Sequence, residues 1–118
     1  MIRGIGIDLV QAARMEKLSP AAVCRIFTDA ELEHAGKNGA KRRSESLAGI
    51  FAAKEAFAKA AGLPLLTVIR QTELVYEPSG APRIRLSGPS ADALRDARIL
   101  VSITHDAGTA AAVVVVEE

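Results

Sequence analysis

Ser44-Glu45-Ser46-Leu47-Ala48-Gly49-Ile50-Phe51-Ala52-Ala53-Lys54-Glu55-Ala56-Phe57-Ala58-Lys59-Ala60-Ala61 is an alanine-rich run without proline, and it reads as one long helix. Gly62 supplies its C-terminal cap, and Pro64 prevents continuation. Leu47, Ile50, Phe51, Phe57 and the alanines give it a surface of small and apolar residues that can pack closely. A helix of this length and character is the central helix of the domain, and the remaining elements have to cover it.

Upstream, Ile2 to Leu9 alternates, with Ile5, Ile7 and Leu9 on one face and Gly4, Gly6 and Asp8 on the other. This reads as a strand whose isoleucine face packs on the core. Its second face is cleared by two glycines and leads to a carboxylate, open to something approaching the backbone. A short helix is expected from about Val10 to Leu18. Ser19-Pro20 has the form of an N-cap followed by a first-turn proline, opening a helix toward Ile26. Thr28-Asp29-Ala30-Glu31 has the form of a capping box, starting a helix that ends near Gly36. Lys37 to Arg43 reads as a basic, mobile loop.

Downstream, the chain reads mostly as strands. Glu73–Tyr76 and Arg83–Leu86 flank Pro78-Ser79-Gly80, a hairpin signal. Pro89 to Arg98 fits a short helix. Ile99–Thr104 and Ala110–Val116 flank His105-Asp106-Ala107-Gly108, a second hairpin. Without a linker or repeat, residues 1–118 read as a single α+β domain, a small antiparallel sheet packed on a long central helix.

Composition narrows the function classes. Fifteen Lys and Arg oppose fourteen Asp and Glu, so the net charge of +1 exerts no global pull on nucleic acid. Phe27, Phe51, Phe57 and Tyr76 are the only aromatics besides histidine, too few for a base-stacking platform. Cys24 is the only cysteine, which excludes an internal disulfide and any paired-cysteine metal site; it reads as a small buried residue. The first residues lack a signal-peptide core. The longest apolar run, Ala110 to Val116, is far short of the roughly 20 residues a membrane helix needs. These features lead us to expect a soluble, cytoplasmic protein.

Several residues could carry chemistry. Asp8 ends the glycine-cleared face; it either N-caps the next helix or meets a cation or metal. Glu55 and Lys59 share a helical face and could be only a surface ion pair. Yet they project from an apolar helix, and Asp8 with Glu55 would offer two oxygen ligands suited to Mg²⁺ completed by water and phosphates. Lys54 and Lys59 would suit phosphate charge. Ser102 and Thr104 alternate onto one face, and their hydroxyls and the turn amides could hold a phosphate, while His105 by itself reads as a turn histidine at the surface. A serine triad is excluded by the absence of a nucleophile elbow. Arg14, Lys17 and Arg25 are either solvated surface or a docking site for an acidic partner. His34 reads as exposed and uninformative.

Taken in order, these pieces resemble the holo-acyl-carrier-protein synthase family, the small bacterial 4′-phosphopantetheinyl transferases. The resemblance rests on Gly4-Ile5-Gly6-Ile7-Asp8-Leu9-Val10 with Arg14, on Arg25-Ile26-Phe27-Thr28-Asp29-Ala30-Glu31, on Leu47 to Ala60, and on Val101-Ser102-Ile103-Thr104-His105-Asp106. It implies transfer of phosphopantetheine from coenzyme A to a serine of an acyl carrier protein, releasing adenosine 3′,5′-bisphosphate. It implies Mg²⁺ on Asp8 and Glu55, Lys59 near the phosphates, and Ser102 to His105 holding nucleotide from a neighbouring subunit. It further implies carrier-protein docking at Arg14 and a homotrimer with sites between subunits.

Three features depart from the family pattern. Ile50 stands where many members carry Arg or Lys, Ala61-Gly62-Leu63-Pro64 replaces a Gly-Thr-Gly-type loop, and Thr104 replaces a more usual serine. The first two motivate an alternative, a non-catalytic relative that binds coenzyme A or a carrier protein. A Mg²⁺-dependent hydrolase of nucleotide pyrophosphates ranks last, because no dedicated water-activating base stands out.

Overall fold

Gly4 and Gly6 decide how the two main layers meet. In the computed structural model, which describes residues 1–118, β1 (Ile2–Gln11) lies directly on α4 (Ala40–Ala61). A Cβ on Gly4 would come within 1.9 Å of the Ala60 carbonyl oxygen, and one on Gly6 within 1.9 Å of the Ala56 oxygen. Only glycine lets strand and helix backbones approach this closely. The open face of β1 therefore receives the central helix.

This reverses the expected orientation of the strand. Ile5, Ile7 and Leu9 point outward and are 67%, 65% and 66% exposed, while Gly6 and Val10 are buried against α4. Alternation identified the two faces, but the face without side chains proved to be the inner one.

β1 is one edge of a three-stranded antiparallel sheet ordered β1-β5-β4, with β4 at Arg98–Asp106 and β5 at Thr109–Glu117. Ala110, Ala112, Val114 and Val116 of β5 face the helix and are buried. Ala107-Gly108 joins β4 to β5 with φ of 50° and 79°, the positive values a two-residue hairpin turn requires. A separate hairpin pairs β2 (Thr72–Tyr76) with β3 (Pro82–Leu86).

Helices cover the other sides of α4: α1 (Ala12–Glu16), α3 (Asp29–Gly36) and α5 (Leu65–Gln71) pack on it, α2 (Pro20–Ile26) packs on α5, and α6 lies at Gly88–Ala93. Leu47, Ile50, Phe57 and most of the alanines of α4 are consequently buried nearly all round. The caps of α2 and α3 follow the sequence reading. Ser19 Oγ accepts from the Ala22 amide at 3.2 Å, and Thr28 and Glu31 form a reciprocal capping box. Gly62 closes α4 with φ 68°.

Two other segments differ from expectation. Lys41, Arg42 and Arg43 lie within the first turn of α4 and not in a loop. Cations at a helix N-terminus oppose the dipole, so local sequence argues against a start there. α5 follows Pro64 directly; the proline that stops one helix stands as the N-cap of the next, and Leu65, Val68 and Ile69 give the new helix its apolar stripe.

Glu31 and Lys54 knot these helices to the second hairpin. Both side chains are 0% exposed, with Nζ 2.8 Å from Oε1. Glu31 Oε1 also accepts from the Thr28 amide, and its Oε2 accepts from the Leu74 amide of β2 at 2.8 Å. Lys54 Nζ donates a second bond to the Ile26 carbonyl at 3.0 Å. Each charge is thus paired and hydrogen-bonded, the condition under which burial of an ion pair is tolerated.

Candidate active site

Asp8 lies two residues beyond Gly6 on the helix-facing side of β1, where the glycines have already drawn α4 close. It does not cap α1, whose N-cap is Gln11. Its Oδ1 accepts from Lys59 Nζ at 3.2 Å, and the same ammonium donates to the Ile7 carbonyl at 3.0 Å. Lys59 thereby bridges strand to helix through Asp8, with no pairing to Glu55. The lysine remains 58% exposed, whereas the Asp8 side chain is 11% exposed. Asp8 Oδ2 is buried and, with Glu55 ionised, has no hydrogen-bond partner; a protonated Glu55 hydrogen-bonds to the Asp8 carboxylate.

Glu55 faces the same spot from α4. Its carboxyl is raised from 4.5 to about 7, chiefly by burial and next by the adjoining Asp8 carboxyl, against the opposing pull of Arg14 and Lys59. Two carboxyls this close favour a shared proton or a cation between them. No cluster of three or more His, Cys, Asp or Glu forms anywhere in the chain, so the protein offers two carboxylates and no more. An orphaned buried oxygen and a second carboxyl that resists ionisation fit a hard divalent cation completed by other oxygens.

A second locus lies toward the opposite edge of the sheet. A cavity of about 590 Å³ opens between the N-terminal half of α4, α3, the β2–β3 hairpin and the end of β4. His34, Lys41, Arg42 and His105 contribute its cationic and imidazole groups, with Gly49, Ile50 and Ile103 as apolar lining. His34 is far from uninformative. It stacks on Tyr76 with ring centroids 3.7 Å apart and planes 6° off parallel. Burial first, and then Lys37, lowers the His34 pKa, while burial and Glu31 push the Tyr76 hydroxyl up to about 12. No local pattern signals this pair, because α3 and β2 meet only in the folded chain.

The expected site residues separate accordingly. Asp8, Glu55 and Lys59 converge, with Arg14 beside them and its guanidinium 5.8 Å from the Phe51 ring centroid. His105 reaches the cavity, paired at 3.7 Å with Glu45. Ser102 and Thr104 lie in register with Val113 and Ala111, and hence with Ile7 and Leu9, on the outward face of the sheet. Lys17 and Arg25 are exposed on α1's end and α2. Two expectations are corrected. Lys54 holds no phosphate, because the helical step from Glu55 turns it into the core against Glu31. Cys24 is exposed, not buried.

With this geometry in place, the chain can be set beside known proteins. Residues 4–114 match the family described as the 4′-phosphopantetheinyl transferase superfamily. A holo-[acyl-carrier-protein] synthase of Streptomyces coelicolor is 39% identical, with 98% of each chain covered. Its counterpart in Listeria monocytogenes is 36% identical over 99% of each. Among solved structures, the Neisseria meningitidis holo-[acyl-carrier-protein] synthase superposes with a TM-score of 0.87 at 32% identity, over the whole of both chains. That of Bacillus anthracis, solved in complex with CoA (3′,5′-ADP), gives 0.85 at 33% identity, covering 100% of this chain and 98% of that one. On the family match and these full-length likenesses, the chain belongs to the 4′-phosphopantetheinyl transferase superfamily.

Proposed function

We propose that this chain is a holo-acyl-carrier-protein synthase, moving 4′-phosphopantetheine from coenzyme A to a serine of an apo acyl carrier protein. The observation that carries the reading is the convergence of Asp8, Glu55 and Lys59 around the orphaned Asp8 oxygen. In this reaction the serine oxygen bonds to the β-phosphorus of coenzyme A. The bond to the α-phosphate breaks, and adenosine 3′,5′-bisphosphate leaves with the electron pair.

Asp8 and Glu55 are the residues that would hold Mg²⁺, which when bound supplies Lewis-acid charge to the pyrophosphate. Lys59, anchored on Asp8 yet open to solvent, is placed to neutralise or protonate the departing phosphate oxygen. Glu55 is the carboxylate this chain offers at the same spot to accept the serine proton. The exposed cations Arg14, Lys17 and Arg25 run from this spot across α1 and α2, and we assign them to docking the acidic face of the carrier. Ile50 is fully buried and projects no charge, but Lys41 and Arg42 bring cations to the same cavity.

We further propose a homotrimer. Ile5, Ile7, Leu9 and Leu100 make an exposed apolar surface on the outer face of the sheet, larger in kind than the scattered apolar residues of a monomer surface. The carboxylates sit at the β1 edge and the basic cavity at the β4 edge, an arrangement that supports pockets completed by a neighbouring copy. Ser102 and Thr104 on that outer face would then serve the neighbour. The reaction is assigned to the cytoplasm, and no helix is long and apolar enough to cross a membrane.

Incubation with coenzyme A, Mg²⁺ and an apo carrier should raise the carrier mass by one phosphopantetheine group. Tight carrier or coenzyme A binding without any mass change would favour the non-catalytic alternative. Adenosine bisphosphate released with no carrier present would indicate hydrolysis.

A further inference from the structure

A carboxylate in a basic cavity calls for an explanation. Glu45, in the second turn of α4, lines the same cavity as Lys41, Arg42 and His105. It also borders a neighbouring space of about 360 Å³ between α1 and the β4–β5 turn. An anionic occupant would be repelled by Glu45 unless that charge were already committed. The side chain facing it is His105, whose Nδ1 lies 3.7 Å from the carboxylate and forms an ion pair with it when the ring is protonated. The Glu45 side chain is 21% exposed and His105 is 60% exposed, so the carboxylate is the anchored member and the imidazole the free one. His105 stands near the end of β4, one residue pair short of the Ala107-Gly108 turn, with Ala110 opposite it.

We propose that Glu45 is a positioning residue for His105. It holds the protonated ring by its Nδ1–H, leaving Nε2–H to donate to a phosphate of the cavity's occupant; only the imidazolium, flanked by two anions, offers both donors. This rests on the reading of coenzyme A as that occupant. At 3.7 Å the contact is longer than a hydrogen bond. Such contacts often tighten when a site fills. Fixing the ring in advance spares the ordering cost otherwise met on binding. It also cancels the repulsion Glu45 would exert, so one contact resolves both problems.

The test is a double-mutant cycle read on coenzyme A affinity by calorimetry, without carrier protein, for wild type, Glu45→Ala, His105→Ala and the double variant. Each single change should weaken binding about threefold to tenfold, and the double variant should be no weaker than His105→Ala alone. Glu45→Asp should recover much of the loss, and kcat at saturating coenzyme A should stay near wild type. Thermal melts check the fold, and Glu45→Gln replaces any variant that does not fold. Additive losses would overturn the proposal. So would unchanged or tighter binding by Glu45→Ala, the outcome of repulsion alone. Wild type that binds coenzyme A but transfers nothing defeats the transferase reading while leaving the cycle readable; wild type that binds none overturns both.

Discussion

Lys54 and Glu55 are neighbours in sequence with opposite fates, because one helical step turns a side chain by about 100°. Lys54 enters the core and ties α2, α3 and β2 together through Glu31; Glu55 faces Asp8. Glu31→Gln would leave the Lys54 ammonium buried beside a neutral amide. A loss of up to about 3–5 kcal/mol of stability is expected in chemical denaturation, with transfer by the folded fraction unchanged. A loss under about 1 kcal/mol would mean the pair is not the knot described. Glu55 makes a prediction of different form. Its carboxyl, raised to about 7, keeps its proton in the folded chain over a range where the unfolded chain has released it. This contribution is complete below about pH 4.5 and disappears as pH rises through about 7. The Tm of the metal-free protein should therefore carry a component that falls from about pH 5 to about pH 8, offset by Mg²⁺ and reduced by Asp8→Asn, which leaves only the part due to burial. A pH profile identical in wild type and Asp8→Asn would contradict the shared-carboxyl geometry.

Among elements, the pairing of β1 with α4 governs where the site forms. Gly6→Ala would press a methyl group into the Ala56 carbonyl, and backbone cannot yield as a side-chain tip can. It should cost at least about 1–3 kcal/mol and pull Asp8 away from Glu55, lowering Mg²⁺ affinity as well as Tm. Gly36→Ala, where the added methyl meets nothing within 4 Å, is the control expected to change neither. Local signals made much of this architecture legible. Ser19-Pro20, Thr28 to Glu31 and Gly62 act within a turn of their own position, so their caps could be read directly. Two-residue alternation in β1 was equally plain. Which face was inner was not, because that depends on α4 arriving from the far side of the sequence. The same reason separates the parts of the site. Asp8, Glu55 and Lys59 stood out as charges on apolar elements, while Lys54 stood out for the same reason and turned inward. Stacking of His34 on Tyr76 and pairing of Glu45 with His105 arise only from tertiary contact.

At the scale of the whole molecule, the near-zero net charge conceals a division of labour. Asp8 and Glu55 meet Lys59 and Arg14 at the β1 edge, Lys41, Arg42 and His105 line the cavity with Glu45 toward the β4 edge, and the sheet between them turns an apolar face outward. A double substitution Ile5→Asp with Ile7→Asp leaves Asp8, Glu55 and the core untouched, since both side chains already face solvent in the single chain. In sedimentation analysis it should shift a trimer to monomers and take transfer activity with it. An active monomer would refute the shared pocket. The central claim, however, is that Asp8 and Glu55 of this chain drive phosphopantetheine transfer, and the most direct measurement is carrier mass after reaction with coenzyme A and Mg²⁺. Wild type is predicted to convert apo carrier to the holo form, with Asp8→Ala and Glu55→Ala folded but at least about a hundredfold slower. Full activity in either variant, or no mass gain by wild type with fatty-acid or polyketide carriers, would contradict the account.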